Sequence, residues 1–108
     1  MASLVADVDD GTFQSEVLKS ALPVLVLFWA PWDGPSRIAL SLVDQMVKLY
    51  GASLKVVKVN VDESPVSAQD HLIRTLPGYF VYKNGQVLDR YYGPITKDSL
   101  SRFVSGAI

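Results

Sequence analysis

Between Pro23 and Trp29 the chain runs Val24-Leu25-Val26-Leu27-Phe28, apolar at every position. A strand without polar alternation has no face to give to water. It belongs inside a sheet covered on both sides, the arrangement of parallel strands joined by helices. The residues that follow supply such a crossover. Asp33-Gly34-Pro35 sets a capping side chain just ahead of a proline, a helix-start signal. Ala39, Leu42, Val43, Met46, Val47 and Tyr50 then recur at helical spacing as one apolar stripe, and Gly51 ends it. From Lys55 to Val61, Val57, Val59 and Val61 alternate with Lys58 and Asn60, which predicts a further strand.

The flanking segments complete the pattern. Leu4 to Val8 reads as a short first strand. Asp10 is expected to cap a helix running to about Ser20, with Phe13, Val17 and Leu18 on one face. Ser64-Pro65 opens a short third helix ending near Ile73. Phe80-Val81-Tyr82-Lys83, Asn84-Gly85 and Gln86-Val87-Leu88 form an antiparallel hairpin, because Asn-Gly supplies the positive φ angles of a tight turn. Thr96 caps a last helix with Leu100, Phe103 and Val104 facing inward. The order is βαβαβαββα, an α/β fold with a central mixed five-stranded sheet flanked by four helices. At 108 residues, without a linker or repeat, this is a single domain over 1–108.

Composition excludes several functions. With 10 basic against 11 acidic residues the net charge is −1, so no basic face for nucleic acid is expected. There is no cysteine, so this chain alone supplies no disulfide, thiol nucleophile or thiolate metal site. His71 is the only histidine and the carboxylates are scattered, so no metal and no cofactor is expected. No Lys or Arg precedes Lys19, unlike a secretory signal. The apolar stretch from Ala21 to Trp32 is too short for a membrane span and contains Pro23 and Pro31. The expectation is a soluble, cytoplasmic monomer with no membrane association.

Phe28-Trp29-Ala30-Pro31-Trp32-Asp33-Gly34-Pro35-Ser36-Arg37 lies at the strand-to-helix junction. It resembles the thioredoxin signature, in which a Trp-Cys-Gly-Pro-Cys-Lys/Arg stretch occupies this place. Lys58-Val59-Asn60-Val61-Asp62 is similar to that family's third strand. Ile73-Arg74-Thr75-Leu76-Pro77 is similar to the segment leading to its cis-proline. Tyr82-Lys83-Asn84-Gly85 resembles its hairpin, and Gly93 the glycine before its last helix. The resemblance covers essentially the whole chain. It implies the thioredoxin fold and a parent activity of thiol-disulfide exchange.

The departures fall on the chemistry. Asp33 and Ser36 stand where the two redox cysteines are expected, and neither side chain can exchange with a disulfide. The family's buried aspartate corresponds to Leu27, its helix-kinking proline to Ser41, and the residue after Pro77 is Gly78 rather than threonine. On this basis no catalytic residue is assigned, and the chain is expected not to be an enzyme. The expected function is a redox-inactive protein- or peptide-binding, or regulatory, module. The alternatives are an engineered or decayed copy of a thiol-disulfide oxidoreductase, and a purely structural subunit.

Asp33 has two readings, a helix cap or a carboxylate presenting charge to a partner, and Ser36 reads as a small polar filler. Trp29 is expected in the core and Trp32 exposed. The resemblance implies a cis bond before Pro77 and backbone pairing of Leu76 with a bound, extended peptide segment. Trp32, Gly34, Pro35, Leu76, Pro77, Tyr92 and Gly93 would then outline a shallow apolar groove. Asp33, Ser36 and His71 are not expected to form a hydrolytic set, since nothing places His71 beside Ser36. Lys58, without an acid at position 27, is expected to turn toward Asp62 or solvent.

Overall fold

A computed structural model describes residues 5–108. Among them, Ala6–Asp7 (β1), Val24–Trp29 (β2), Lys55–Asn60 (β3), Gly78–Lys83 (β4) and Gln86–Tyr92 (β5) form one sheet of order β1-β3-β2-β4-β5. The all-apolar strand β2 lies at its centre. It runs parallel to β3, Val24 opposite Lys55 through Trp29 opposite Asn60, and antiparallel to β4, Val24 opposite Tyr82 through Phe28 opposite Gly78. Both faces of β2 are covered, so residues 24 to 28 are all buried.

Three α-helices, Gly34–Tyr50 (α1), Pro65–Asp70 (α2) and Lys97–Ser105 (α3), and a π-helical turn at Gln14–Leu18 flank the sheet. Leu25, Leu27, Tyr79 and Val81 pack against Ala39, Val43 and Met46 of α1 and Leu100 and Val104 of α3. On the opposite face Val26, Phe28, Val57, Val59, Phe80 and Tyr82 pack with Phe13 and Val17. The turn Asn84-Gly85 has φ of 53° and 77°, both in the left-handed region that a primed hairpin turn requires. Thr96 caps α3 through the Ser99 amide, 3.1 Å away.

Several expectations need correction. Leu4 lies outside the described residues, and the first strand is reduced to Ala6–Asp7. The first helix is one widened turn, closed by the Lys19 amide donating to the Gln14 carbonyl at 3.0 Å. Asp9, rather than Asp10, organises its entry, accepting the Thr12 amide at 3.0 Å while its own amide donates to the Thr12 hydroxyl. Phe13 and Val17, four residues apart and so close to one turn, share the buried side; Leu18, the next residue round, is left exposed. Helix α2 ends at Asp70, because the backbone turns left-handed at Leu72, φ 55°. Phe103, half-buried, packs against the core with Leu100 and Val104 as its spacing predicts, while Val61 lies past the end of β3, where its amide donates to the Trp29 carbonyl at 3.0 Å.

Candidate functional site

The β2–α1 junction places Asp33 and Ser36 in contact. Asp33 Oδ2 accepts the Ser36 amide at 3.0 Å and the Ser36 hydroxyl at 2.8 Å. Ser36 is fully buried and Asp33 partly so, and the carboxylate is turned onto the helix it caps. Such a cap is typically worth about 0.5–2 kcal/mol. The geometry therefore gives Asp33 the capping role.

Trp32, one residue before, is 68% exposed. Its indole Nε1 donates to Asp62 Oδ2 at 2.8 Å, and the Asp62 amide is in turn held by Asn60 Oδ1 at 2.9 Å. The sequence did not single out Asp62 as this anchor; an acid two residues beyond β3 was the available signal. An exposed indole held in one orientation presents a large apolar surface at small entropic cost.

The Leu76–Pro77 bond is cis. Pro77 is buried, and its carbonyl accepts the Gly93 amide at 2.8 Å, while Gly78 lies opposite Tyr92 in the β4–β5 register. Pro77, Tyr92 and Gly93 are thus brought together. Gly93 has φ 99°, a conformation that side-chain-bearing residues rarely adopt. Leu76 is half-buried, and among the described residues neither its amide nor its carbonyl has a hydrogen-bond partner. Gly34 is half-buried and Pro35 exposed at the start of α1. Trp32 bonds to Asp62 and to none of the other groove residues. Leu72, with its left-handed backbone and 66% exposure, lines a depression of about 220 Å³ with Arg74, Thr75 and Tyr92, which no residue pattern announces.

Position 27 is filled by apolar packing. Leu27 is fully buried between Lys58 on β3 and Tyr79 on β4. Lys58 turns neither to Asp62 nor to solvent. Its side chain is 12% exposed, and its Nζ lies 3.8 Å from Asp7 Oδ1 and 5.7 Å from the centre of the Trp29 ring. The reason is register: Asp7 on β1 is the direct neighbour of Lys58, whereas Asp62 is engaged by Trp32. Trp29 itself is half-buried, and its Nε1 is a buried donor without a partner among the described residues.

His71 belongs to the opposite core. It packs against Phe13, Phe28 and Phe80, with ring centres 5.0, 4.6 and 4.8 Å away. Its Nδ1 lies 2.7 Å from the Ser67 carbonyl, which can only accept, so Nδ1 carries the proton and Nε2 accepts from the Tyr82 hydroxyl. Burial lowers the histidine pKa, against an opposing pull from the Ser67 carbonyl and Asp70. Burial, and then the Asp70 charge, push the Tyr82 hydroxyl up to about 12. With both ring nitrogens bonded to Ser67 and Tyr82, and Ser36 bonded to Asp33, these side chains form no hydrolytic relay. Among the described residues no three His, Asp or Glu side chains are grouped to hold a metal ion, and no helix is long and apolar enough to cross a membrane.

The family model "Thioredoxin" matches residues 4–106. The chain is 46% identical over 99 residues to Thioredoxin 1 of Synechococcus elongatus, covering 92% of both chains. It is 46% identical over 100 residues to Thioredoxin 1 of a Nostoc species, covering 93% of this chain and 94% of that one. To Thioredoxin of Rickettsia prowazekii it is 37% identical over 105 residues, covering 97% of this chain and all of that one.

These relatives correct one expectation. The chain was expected not to be an enzyme, because cysteine is missing. Relatives this similar over nine-tenths of its length are named thioredoxins, a family of thiol-disulfide oxidoreductases, and the missing thiols do not by themselves remove the chain from the enzymes. Sheet order, cis-proline, hairpin and full-length matches converge, and the chain belongs to the thioredoxin family.

Proposed function

We propose that the chain is a cytoplasmic protein-binding module, with a regulatory role, that takes up an extended polypeptide segment along the surface between Trp32 and Pro77. The observation that carries this reading is Leu76. Its amide and carbonyl are unpaired although the residue is half-buried, and they stand at the entry to β4 with Tyr92 and Gly93 alongside. An extended peptide satisfies both groups by strand-type pairing, while apolar side chains rest on the tethered Trp32 indole. Binding of this kind needs no thiol. Main-chain pairing supplies affinity for extended segments in general, and the indole adds a preference for apolar side chains.

The test is selection from a displayed library of unstructured peptides, followed by amide-resolved spectroscopy. Bound peptides are expected to shift the Leu76 amide and the Trp32 indole signals. Trp32→Ala is expected to weaken them about tenfold or more, and Leu76→Asp to abolish them. If both variants keep every interaction of the wild type, the groove is not the binding surface.

A further inference from the structure

Between β5 and α3 lies an open trough of about 470 Å³, within the size range of small-molecule sites. Its apolar walls come from Tyr91 on β5, Pro94 and Ile95 on the connection, and Phe103 on α3. Ile95 and Phe103 are half-buried and packed against the core beneath, so they do not swing free. The Tyr91 hydroxyl donates to the Pro94 carbonyl at 2.9 Å, which holds the phenol in place.

The polar residues of the trough are Thr96, Ser99 and Arg102, spaced by three and so on one side of α3. The Ser99 amide donates to the Thr96 hydroxyl oxygen at 3.1 Å, and Arg102 Nη2 donates to Ser99 Oγ at 3.3 Å. The guanidinium is therefore folded back along the helix onto a residue that itself lines the trough. Each hydroxyl accepts a bond from the protein and keeps its own proton to give. The guanidinium carries several N–H groups and no acceptor, and among the described residues no carboxylate comes within ion-pair distance of it. No Asp or Glu lines the trough. Its polar side is thus made of donors, with one unpaired positive charge, beside a wall of rings and aliphatic carbon.

We infer that this trough binds a small carboxylate bearing one apolar ring, its carboxylate on Arg102 and the Ser99 hydroxyl and its ring against Tyr91 and Phe103. The planar guanidinium fork matches a carboxylate through two parallel bonds. An exposed ion pair by itself is worth little, so the ring's contact with the apolar wall has to supply much of the affinity. A bare anion such as acetate gains the first contribution without the second. The trough shares no residue with the surface between Trp32 and Pro77, so it stands or falls separately from the peptide-binding reading.

The experiment titrates the wild-type protein with 3-phenylpropanoate, with 3-phenylpropanamide (the same shape, uncharged) and with acetate, following backbone amide signals. The phenylpropanoate is expected to shift Tyr91, Ile95, Ser99 and Phe103 saturably. It is expected to bind about tenfold more tightly than the amide, the order of a hydrogen bond to a charged group, and more tightly still than acetate. Arg102→Met keeps an apolar stem at an exposed position and is expected to erase the preference for the acid over the amide. Trp32→Ala is expected to leave phenylpropanoate binding unchanged. The proposal is overturned if the phenylpropanoate does not shift these residues, if the amide or acetate binds as well, if Arg102→Met keeps the preference, or if Trp32→Ala abolishes binding.

Discussion

The carboxylate of Asp10 accepts the backbone amide of Ser67 at 2.8 Å, and with its other oxygen the amide of Val66 at 3.1 Å. It caps α2 from 57 positions earlier in the chain. Ser64, next to the helix, makes no side-chain cap bond, and its buried hydroxyl has no partner among the described residues. The Ser67 hydroxyl, with the Ser67 and Val66 amides, outweighs desolvation and lowers the Asp10 pKa from 3.8. A carboxyl held low in the folded state stabilises the fold above its unfolded pKa, and that contribution disappears as the pH falls through the folded value. Asp10→Ala is therefore expected to lower the melting temperature at pH 7 and to loosen α2, with Asp10→Asn milder. The difference from wild type should shrink in acid below about pH 3.8. Thermal unfolding at pH 7 and pH 3 checks this.

His71 gives a second, separate pH dependence. Its folded-state pKa lies below the ordinary 6.5, because burial disfavours the charged ring. The unfolded chain then binds the extra proton first, so stability is full above about pH 6.5 and falls with the pH until the folded ring is protonated too. Urea unfolding between pH 7 and pH 5 is expected to show this loss, and His71→Gln to flatten it at a lower overall stability. A flat profile in the wild type would mean that the ring is not held neutral.

The sequence carried the α/β order, the hairpin turn, the α1 and α3 caps and the central strand because each rests on local chemistry. A β2 with no polar residue has one place in a sheet, and Asn84-Gly85 has one inexpensive conformation. Errors arose where a partner came from a distant segment. Asp10 reads locally as a cap for the next residues, yet it caps α2. Lys58 reads as a partner for Asp62, yet β1 registers Asp7 beside it. Around the candidate site, the exposure of Trp32 and the cis bond before Pro77 were legible from the resemblance, and Asp33 was legible as a cap. The Asp62 tether, the left-handed Leu72 and the orphan hydroxyl of Tyr79 depend on three-dimensional neighbours that no spacing rule encodes.

Tyr79 offers a stability prediction of its own. Its hydroxyl is shut off from water and has no hydrogen-bond partner among the described residues, at a cost of about 1–3 kcal/mol for a group of this kind. Tyr79→Phe keeps the ring against Leu27 and the α1 side chains and removes only the orphan group. The variant is expected to be more stable than wild type by about 1 kcal/mol, read from denaturant midpoints at unchanged slope. A loss of stability would show that the hydroxyl does have a partner in solution.

Restoring sulfur at the helix start tests how far the site has moved from its relatives. The side chains at positions 33 and 36 already meet, Asp33 Oδ2 to Ser36 Oγ being 2.8 Å. A disulfide needs Cβ atoms about 3.5–4.5 Å apart, within reach of two residues that bond across the first turn. Asp33→Cys with Ser36→Cys is expected to close an intrachain disulfide, seen as the loss of two hydrogens by mass spectrometry. Once reduced, the thiol at position 33 lies at the amino end of α1, where amides and helix dipole favour the thiolate. The double variant is therefore expected to reduce insulin disulfides faster than wild type with dithiothreitol as reductant. Leu27 is fully buried and cannot relay a proton, so adding Leu27→Asp is expected to raise the rate further if the fold tolerates it. A brisk double variant marks a recently disabled copy of an oxidoreductase. A variant that forms the disulfide yet does not exceed wild type marks a divergence that extends past the two sulfur positions, to Leu27 and Gly78.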